Sequence, residues 1–241
     1  MAIAAAKDLG AYEKIERLLA RATTPAQKLQ ALVDGLQTLV VDARLKGAVA
    51  KLRYRAYRNA GAVGANGTGA IWEECDRDLN ARTFAIVLEG IPLATIRVHV
   101  ARSSCASSPC CLVFPEIVAP WFAEGRAIID SSCFCVEPEL AQRFPALALA
   151  AVRIPVVLAQ TFAPSWLVAT PRRGHEGFYM RNFGGKRLAK SRPYPGRDRP
   201  LALVGNRMEL ITEKIFRRYP AYRAGDAELD AMRDLYVGAA R

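Results

Sequence analysis

No apolar run in this chain approaches the ~18 residues of a membrane span. Its start, Met1-Ala-Ile-Ala-Ala-Ala-Lys7-Asp8, lacks the charged opening and apolar core of a signal peptide. A soluble, cytoplasmic protein is expected. Histidine is scarce: His99 and His175 are the only two, and a lone histidine is more often structural than catalytic. The six cysteines, Cys75, Cys105, Cys110, Cys111, Cys133 and Cys135, lack the paired Cys-x2-4-Cys spacing that zinc prefers. Metal sites are therefore not expected, and reduced thiols in a reducing cytosol are. Zinc-finger, helix-turn-helix and RNA-binding aromatic signatures are also missing. The glycine-rich run Gly61 to Ala70 follows a helical pattern rather than a strand, which excludes a phosphate cradle and leaves a flexible loop.

What is present is charge and core. Lys and Arg number 34 against 23 acids, a net +11, and 51% of the 241 residues are hydrophobic. That supplies one large domain, or one domain with an appendage. The basic excess draws acidic partners and concentrates between Arg172 and Arg199, where nine basic residues face only Glu176 and Asp198. Helical stripes cover residues 8–21, then Leu29 through Val40 after a Thr24-Pro25-Ala-Gln27 start signal, then about 43–59. An acidic patch, Trp72 to Asp78, precedes a hairpin of strands 83–88 and 91–100 about Glu89-Gly90. In the second strand Leu93, Thr95, Arg97 and His99 alternate with Ala94, Ile96, Val98 and Val100, the latter reading as core. Residues 103–109 read as loop. A third strand, 127–136, puts Ile128, Asp130, Ser132, Phe134 and Val136 on one face. A helical region runs from Glu137 to Phe162, restarting at Pro145 and kinked or split at Pro155. Strand 165–170, helix 174–182, strands 186–192 and 200–205, and amphipathic segments 207–218 and 226–237 complete the chain. Strands interrupted by helices indicate an α/β or α+β fold.

Several short motifs in this order resemble one family. They are Arg53-x3-Tyr57, Asp76-Arg-Asp78, Pro92-Leu-Ala-Thr-Ile-Arg97-Val-His99, Asp130-Ser-Ser132-Cys-Phe134-x-Val136, and His175-x2-Phe178-Tyr179-x3-Phe183-Gly184. Over about residues 45 to 205 the chain resembles the GNAT acyltransferases, and among them the N-acyl amino acid synthases and their relatives the acyl-homoserine lactone synthases. The resemblance implies a mixed, mostly antiparallel twisted sheet flanked by helices. Residues 1–45 would be an N-terminal helical extension, 46–205 the core, and 206–241 C-terminal helices packed on it.

It also implies transfer of a long-chain acyl group from the phosphopantetheine of acyl carrier protein to the amine of a free amino acid, with no tightly bound cofactor. The pantetheine arm would lie in a splay between strands 127–136 and 165–170. The stretch Pro138-Glu-Leu-Ala-Gln-Arg-Phe-Pro-Ala lacks the glycine loop that cradles the pyrophosphate of coenzyme A in this fold, which favours a carrier protein. That acidic partner would dock on Arg153, Arg172, Arg173, Arg181, Lys186 and Arg187.

Amide formation requires a deprotonated amine, donors to the thioester oxygen and a grip on the acceptor carboxylate. Asp130, Ser132 and Arg97 are the catalytic candidates, with Asp130 orienting or deprotonating the amine. Arg53, Tyr57, Asp76, Asp78, Phe134, Tyr179 and His175 are the substrate-binding candidates. Asp76 and Asp78 would order the glycine loop over the acceptor. Two other readings stay open. Lactone synthases show Glu-x-Ser-Arg-Phe where this chain has Asp130-Ser-Ser-Cys133-Phe134, which counts against an autoinducer synthase. The net charge motivates a basic module for nucleic acid or anionic membrane. Of these partners nucleic acid is not expected, and transient membrane contact is, where a lipidic product leaves.

Overall fold

The computed structural model describes residues 2–172, 174–194 and 200–237, with side chains from residue 10 onward. Along the chain run α1 (Ala2–Leu19), α2 (Pro25–Gly35), β1 (Gln37–Val40), α3 (Ala43–Asn59), a 3₁₀ turn (Glu74–Arg77), β2 (Ala81–Leu88), β3 (Ile91–Ala101), α4 (Pro109–Val113), α5 (Pro115–Ala123) and β4 (Ala127–Val136). There follow α6 (Pro138–Arg143), α7 (Ala146–Thr161), β5 (Ser165–Ala169), α8 (Glu176–Phe183), β6 (Lys186–Arg192), β7 (Leu201–Arg207), α9 (Met208–Arg218) and α10 (Asp226–Val237).

The strands form one seven-stranded sheet of order β1-β2-β3-β4-β5-β7-β6. Every pairing is antiparallel except β4 with β5. A parallel pair needs a long crossover, and α7 supplies it. Its sequence, ALALAAVRIPVVLAQT, is apolar almost all round, and thirteen of its sixteen residues are buried. Such a helix belongs in a core rather than at a surface. Fully buried Leu147, Val157 and Leu158 each contribute about 1.5–3 kcal/mol. With α2 and α10, α7 covers one face of the sheet; α3, α4 and α5 cover the other. Among the described residues no helix is long and apolar enough to cross a membrane.

Local signals explain the well-read elements. Thr24 caps α2: its hydroxyl accepts from Gln27 N at 3.2 Å, and the Gln27 side chain accepts from Thr24 N at 3.0 Å. Glu89 and Gly90 turn the hairpin with φ of 48° and 80°, the positive values a two-residue turn requires.

Four expectations are corrected. The helical stripe through Leu36–Val40 is broken: α2 stops at Gly35, Leu36 is extended, and residues 37–40 pair with β2 as an edge strand. The first 45 residues therefore contribute a strand to the sheet. Beyond residue 109, in a stretch with no expected element, α4 and α5 each open on a proline at the first helical position. Pro145 does restart the helix, but Pro155 does not split it; α7 runs on to Thr161. Finally, the Thr95-Arg97-His99 face of β3 is as buried as its partner face, because α3 and the acidic turn lie over it.

Candidate active site

The parallel ladder between β4 and β5 runs from Ala127–Ser165 to Ser131–Ala169 and stops there. β5 ends, β4 continues to Val136, and a cleft of about 520 Å³ opens between the diverging segments. Here β4 also breaks its own alternation. Thr95 pairs with Cys135 but Arg97 with Ser132, so three steps on β4 face two on β3. The extra residue is a β-bulge centred on Cys133, whose φ is 48°. A non-glycine residue in that region costs on the order of 1–3 kcal/mol and concentrates at functional sites. The bulge separates residues expected on one face. Asp130 and Ser132 stay on the α3 side and Cys135 joins them, against Leu52 and Ala56. Phe134 and Val136 turn to the α7 side, where Phe134 stacks on Phe178 at 5.9 Å.

Behind the cleft lies a buried charge network. Arg53, fully buried on α3, gives both Asp76 oxygens a hydrogen bond from Nη1, at 3.0 and 2.8 Å, and Thr83 Oγ1 one from Nη2 at 3.1 Å. Thr83 returns one to Asp76 Oδ1 at 2.8 Å. Trp72 stacks on the Arg53 guanidinium, 5.0 Å from its ring centre. Arg97 donates from Nη1 to Glu73 Oε2 at 2.9 Å and from Nε to Ser132 Oγ at 3.1 Å, and stands 3.4 Å from Asp76 Oδ2. The Cys133 thiol also reaches Glu73 Oε2, at 3.3 Å. Burial alone would push the Asp76 carboxyl up, but the Arg53 and Arg97 charges outweigh it and hold it below the usual range. The expectation that Asp76 and Asp78 order the glycine loop is not met. Asp76 is occupied by two arginines, and the loop is organised by Asn66, whose Oδ1 accepts from Gly69 N at 2.7 Å.

Asp78 belongs to a second group. Its Oδ2 accepts from Ser107 Oγ at 2.7 Å and lies 3.3 Å from His99 Nε2. Cross-strand from His99 is Asp130, fully buried, with Oδ2 accepting from Cys110 N at 2.7 Å at the start of α4. Among the described residues His99 Nδ1 and Asp130 Oδ1 have no hydrogen-bond partner. Asp130 thus stands behind the cleft wall, not on it. Burial lowers the His99 pKa, with Arg97 opposing Asp130 and Asp78. Above the unfolded value near 6.5 this costs nothing. Below it the unfolded chain binds a proton that the folded chain resists, so stability falls as pH drops. Thermal melts from pH 7.5 to 5.5 should show that decline, and His99→Gln should flatten it; an unchanged slope in the variant would assign the decline elsewhere.

Other candidates do line the cleft: Tyr57, Phe134, His175 and Tyr179, with Arg97, Ser132 and Arg172. Burial, with Asp130 adding to it, pushes the Tyr179 hydroxyl well up, so it stays a neutral donor. Arg172 Nη2 lies 3.4 Å from His175 Nε2 at the mouth. Arg181, Lys186 and Arg187 stand exposed on α8 and β6, Arg187 bonding Glu176 at 2.9 Å. Arg153 does not join them: it points from α7 to Glu228 on α10 and the Ala221 carbonyl. Arg173, Arg197, Asp198 and Arg199 lie outside the described residues. Three site residues carried no sequence assignment. Glu73 leaves one trace, its place three residues before Asp76 at the start of the 3₁₀ turn. Thr83 and Tyr194 leave none, although Tyr194 lines the cleft beside Arg97.

The mixed sheet that parts between β4 and β5 over a polar wall is of the GNAT type, and the family match makes the chain an acyltransferase. The sequence model of the N-acyl amino acid synthase FeeM matches residues 48–206, and the chain belongs to that family. Among solved structures it is similar to FeeM from uncultured soil microbes, with 16% identity and a TM-score of 0.57 over 76% of this chain and 95% of that one. It is also similar to the AHL synthase LasI, with 17% identity and a TM-score of 0.51 over 72% and 91%. A third is BjaI, described as a CoA-dependent acyl-homoserine lactone synthase, with 14% identity and a TM-score of 0.50 over 82% and 98%. At these identities the likeness is one of fold. No curated protein sequence matches the chain.

Proposed function

We propose that this acyltransferase moves a long-chain fatty acyl group from acyl carrier protein to the amine of a free amino acid. The observation that carries the reading is the splay cleft, which is polar at the bulge and apolar along Phe134, Val136, Ala148 and Phe178. A pantetheine arm entering the splay finds the β4 backbone beyond Ser131 free of β5, the hydrogen-bonding edge that an extended amide chain uses. The acyl chain lies along the aromatic side. Arg97, which lines the cleft, takes the acceptor carboxylate.

Two carboxylates compete for the proton. Asp130 has one oxygen without a partner but no place on the cleft wall, so it acts through water or by positioning the bulge. Glu73 keeps 21% of its side chain exposed beside Arg97 and Cys133; it too stands outside the cleft lining, so it takes the amine proton through water. Tyr179 donates to the departing thiolate. The residues after β4 fold as α6 with no glycine among them, which supports a carrier-protein donor over coenzyme A.

Mass spectrometry of lipid extracts from cells overexpressing the chain tests this, against Thr170→Trp, which fills the mouth of the splay. New N-acyl amino acids from the wild type, absent with Thr170→Trp, are expected. New acyl lactones would replace the reading with a signal synthase, and unchanged lipids would remove it.

A further inference from the structure

Beside the splay cleft lies a second cavity of about 460 Å³, between the acidic turn and the α4–α5 segment. Tyr194 and Pro109 line both spaces and together form the partition between them. Its hydroxyl is pushed up to about 12, by burial first and nearby Cys75 next, and so it stays a neutral phenol. The walls of the second cavity are mostly apolar: Leu112, Val118, Ala119 and Phe122 stand opposite Cys75 and Asp78. Among the described residues Asp78 is the only charged one on its wall. Behind Asp78 sit fully buried His99 and Asp130, each with one polar atom that lacks a partner among the described residues.

We propose that this second cavity holds the acceptor, and that the acceptor is an α-amino acid whose side chain is apolar rather than acidic. The inference rests on the reading above and adds the substrate class. An α-amino acid brings a cation, an anion and a side chain, and the three find separate places. The ammonium meets Asp78, which Ser107 and His99 hold in position. The carboxylate reaches past Tyr194 to Arg97, which lines the neighbouring cleft. The side chain packs on Leu112, Val118, Ala119 and Phe122, where apolar burial is favourable. A second carboxylate on the acceptor would face the Asp78 carboxylate with no cation among the described lining residues, and like charges repel. Discrimination against glycine is milder, because it forfeits only side-chain contact; one methylene is worth about 10–200-fold in such a pocket.

The test is a kinetic panel with one acyl donor and glycine, leucine, phenylalanine, lysine and glutamate as acceptors. Leucine and phenylalanine should exceed glycine by at least about tenfold in kcat/KM, and glutamate should be the poorest. Ala119 lies exposed on the cavity wall, so bulk can be added there without touching the core. Ala119→Trp should raise KM for leucine about tenfold or more and leave KM for the acyl donor within about twofold. Ala119→Lys should raise the glutamate rate relative to leucine. A flat acceptor profile, or an Ala119→Trp whose acceptor KM does not move, overturns the inference while acyl transfer itself stands. Failure of the wild type on every amino acid overturns the proposed function, and the inference with it.

Discussion

Asp76→Asn will lower the melting temperature by roughly 10 °C and abolish acyl transfer. The Asp76 side chain has no solvent exposure, nor has that of Arg53, and the Arg97 side chain is almost as deeply buried. Asparagine keeps the shape and removes the charge, leaving two buried guanidinium groups to share the partly exposed Glu73. Breaking a buried pair in this way costs about 3–5 kcal/mol, and for a chain of this size each kcal/mol is worth about 2–4 °C. The pH dependence has the matching sign. The Asp76 carboxyl is held low in the folded state, so its contribution is complete above the unfolded value near 3.9 and is lost as pH falls through the folded one. The wild type will therefore melt earlier in acid below about pH 4, and Asp76→Asn will have lost that component. A double variant, Arg53→Met with Asp76→Leu, separates stability from function. Apolar replacement of a buried pair is often neutral or stabilising, so the fold should recover while transfer does not. Recovery of both would show the network to be scaffold only.

Elements with a local chemical cause were legible in the chain. The hairpin needed Glu89-Gly90, α2 needed Thr24 and Gln27, and α7 needed Pro145 and an apolar run interrupted only by Arg153 before Gln160. The pairing Arg53-x3-Tyr57 was legible as one helix face, and it divides as that face does, with Arg53 against the acidic turn and Tyr57 at the cleft. What could not be read depends on long-range neighbours. Residues 37–40 fit a helical stripe as well as a strand, and only the open edge of β2 decides between them. The Cys133 bulge is one residue of extra strand with no glycine to announce it, yet it reassigns the faces of Phe134 and Cys135. Glu73 meets Arg97 across 24 residues and Cys133 across 60, and Tyr194 arrives from the far edge of the sheet. The motifs therefore located the cleft, while the contacts of Glu73 and the second chamber came only with the fold.

Acyl carrier protein will serve as donor in preference to the same acyl group on coenzyme A, on the order of a hundredfold in kcat/KM. Two features motivate this. The segment that would hold a pyrophosphate is α6, which runs Pro-Glu-Leu-Ala-Gln-Arg without a glycine and brings an acid where an anion would have to sit. The surface beyond α8 is basic, with Arg181, Lys186 and Lys190 exposed and no ion pair to Lys186 or Lys190 among the described residues. Charges of that kind act on encounter more than on the final complex. Arg181→Glu with Lys186→Glu should therefore raise the carrier-protein KM about tenfold at low salt, with kcat little changed. The difference should shrink as ionic strength rises and the Debye length falls below ~10 Å. Against an acyl-coenzyme A donor, which needs no protein surface, the same pair should have far less effect. BjaI has this fold and is described as CoA-dependent, so fold alone does not decide between the donors. If coenzyme A thioesters prove as good as the carrier protein, and the charge reversal leaves both unchanged, the basic face is not a dock. The pantetheine arm would then be recognised by the β4 edge alone.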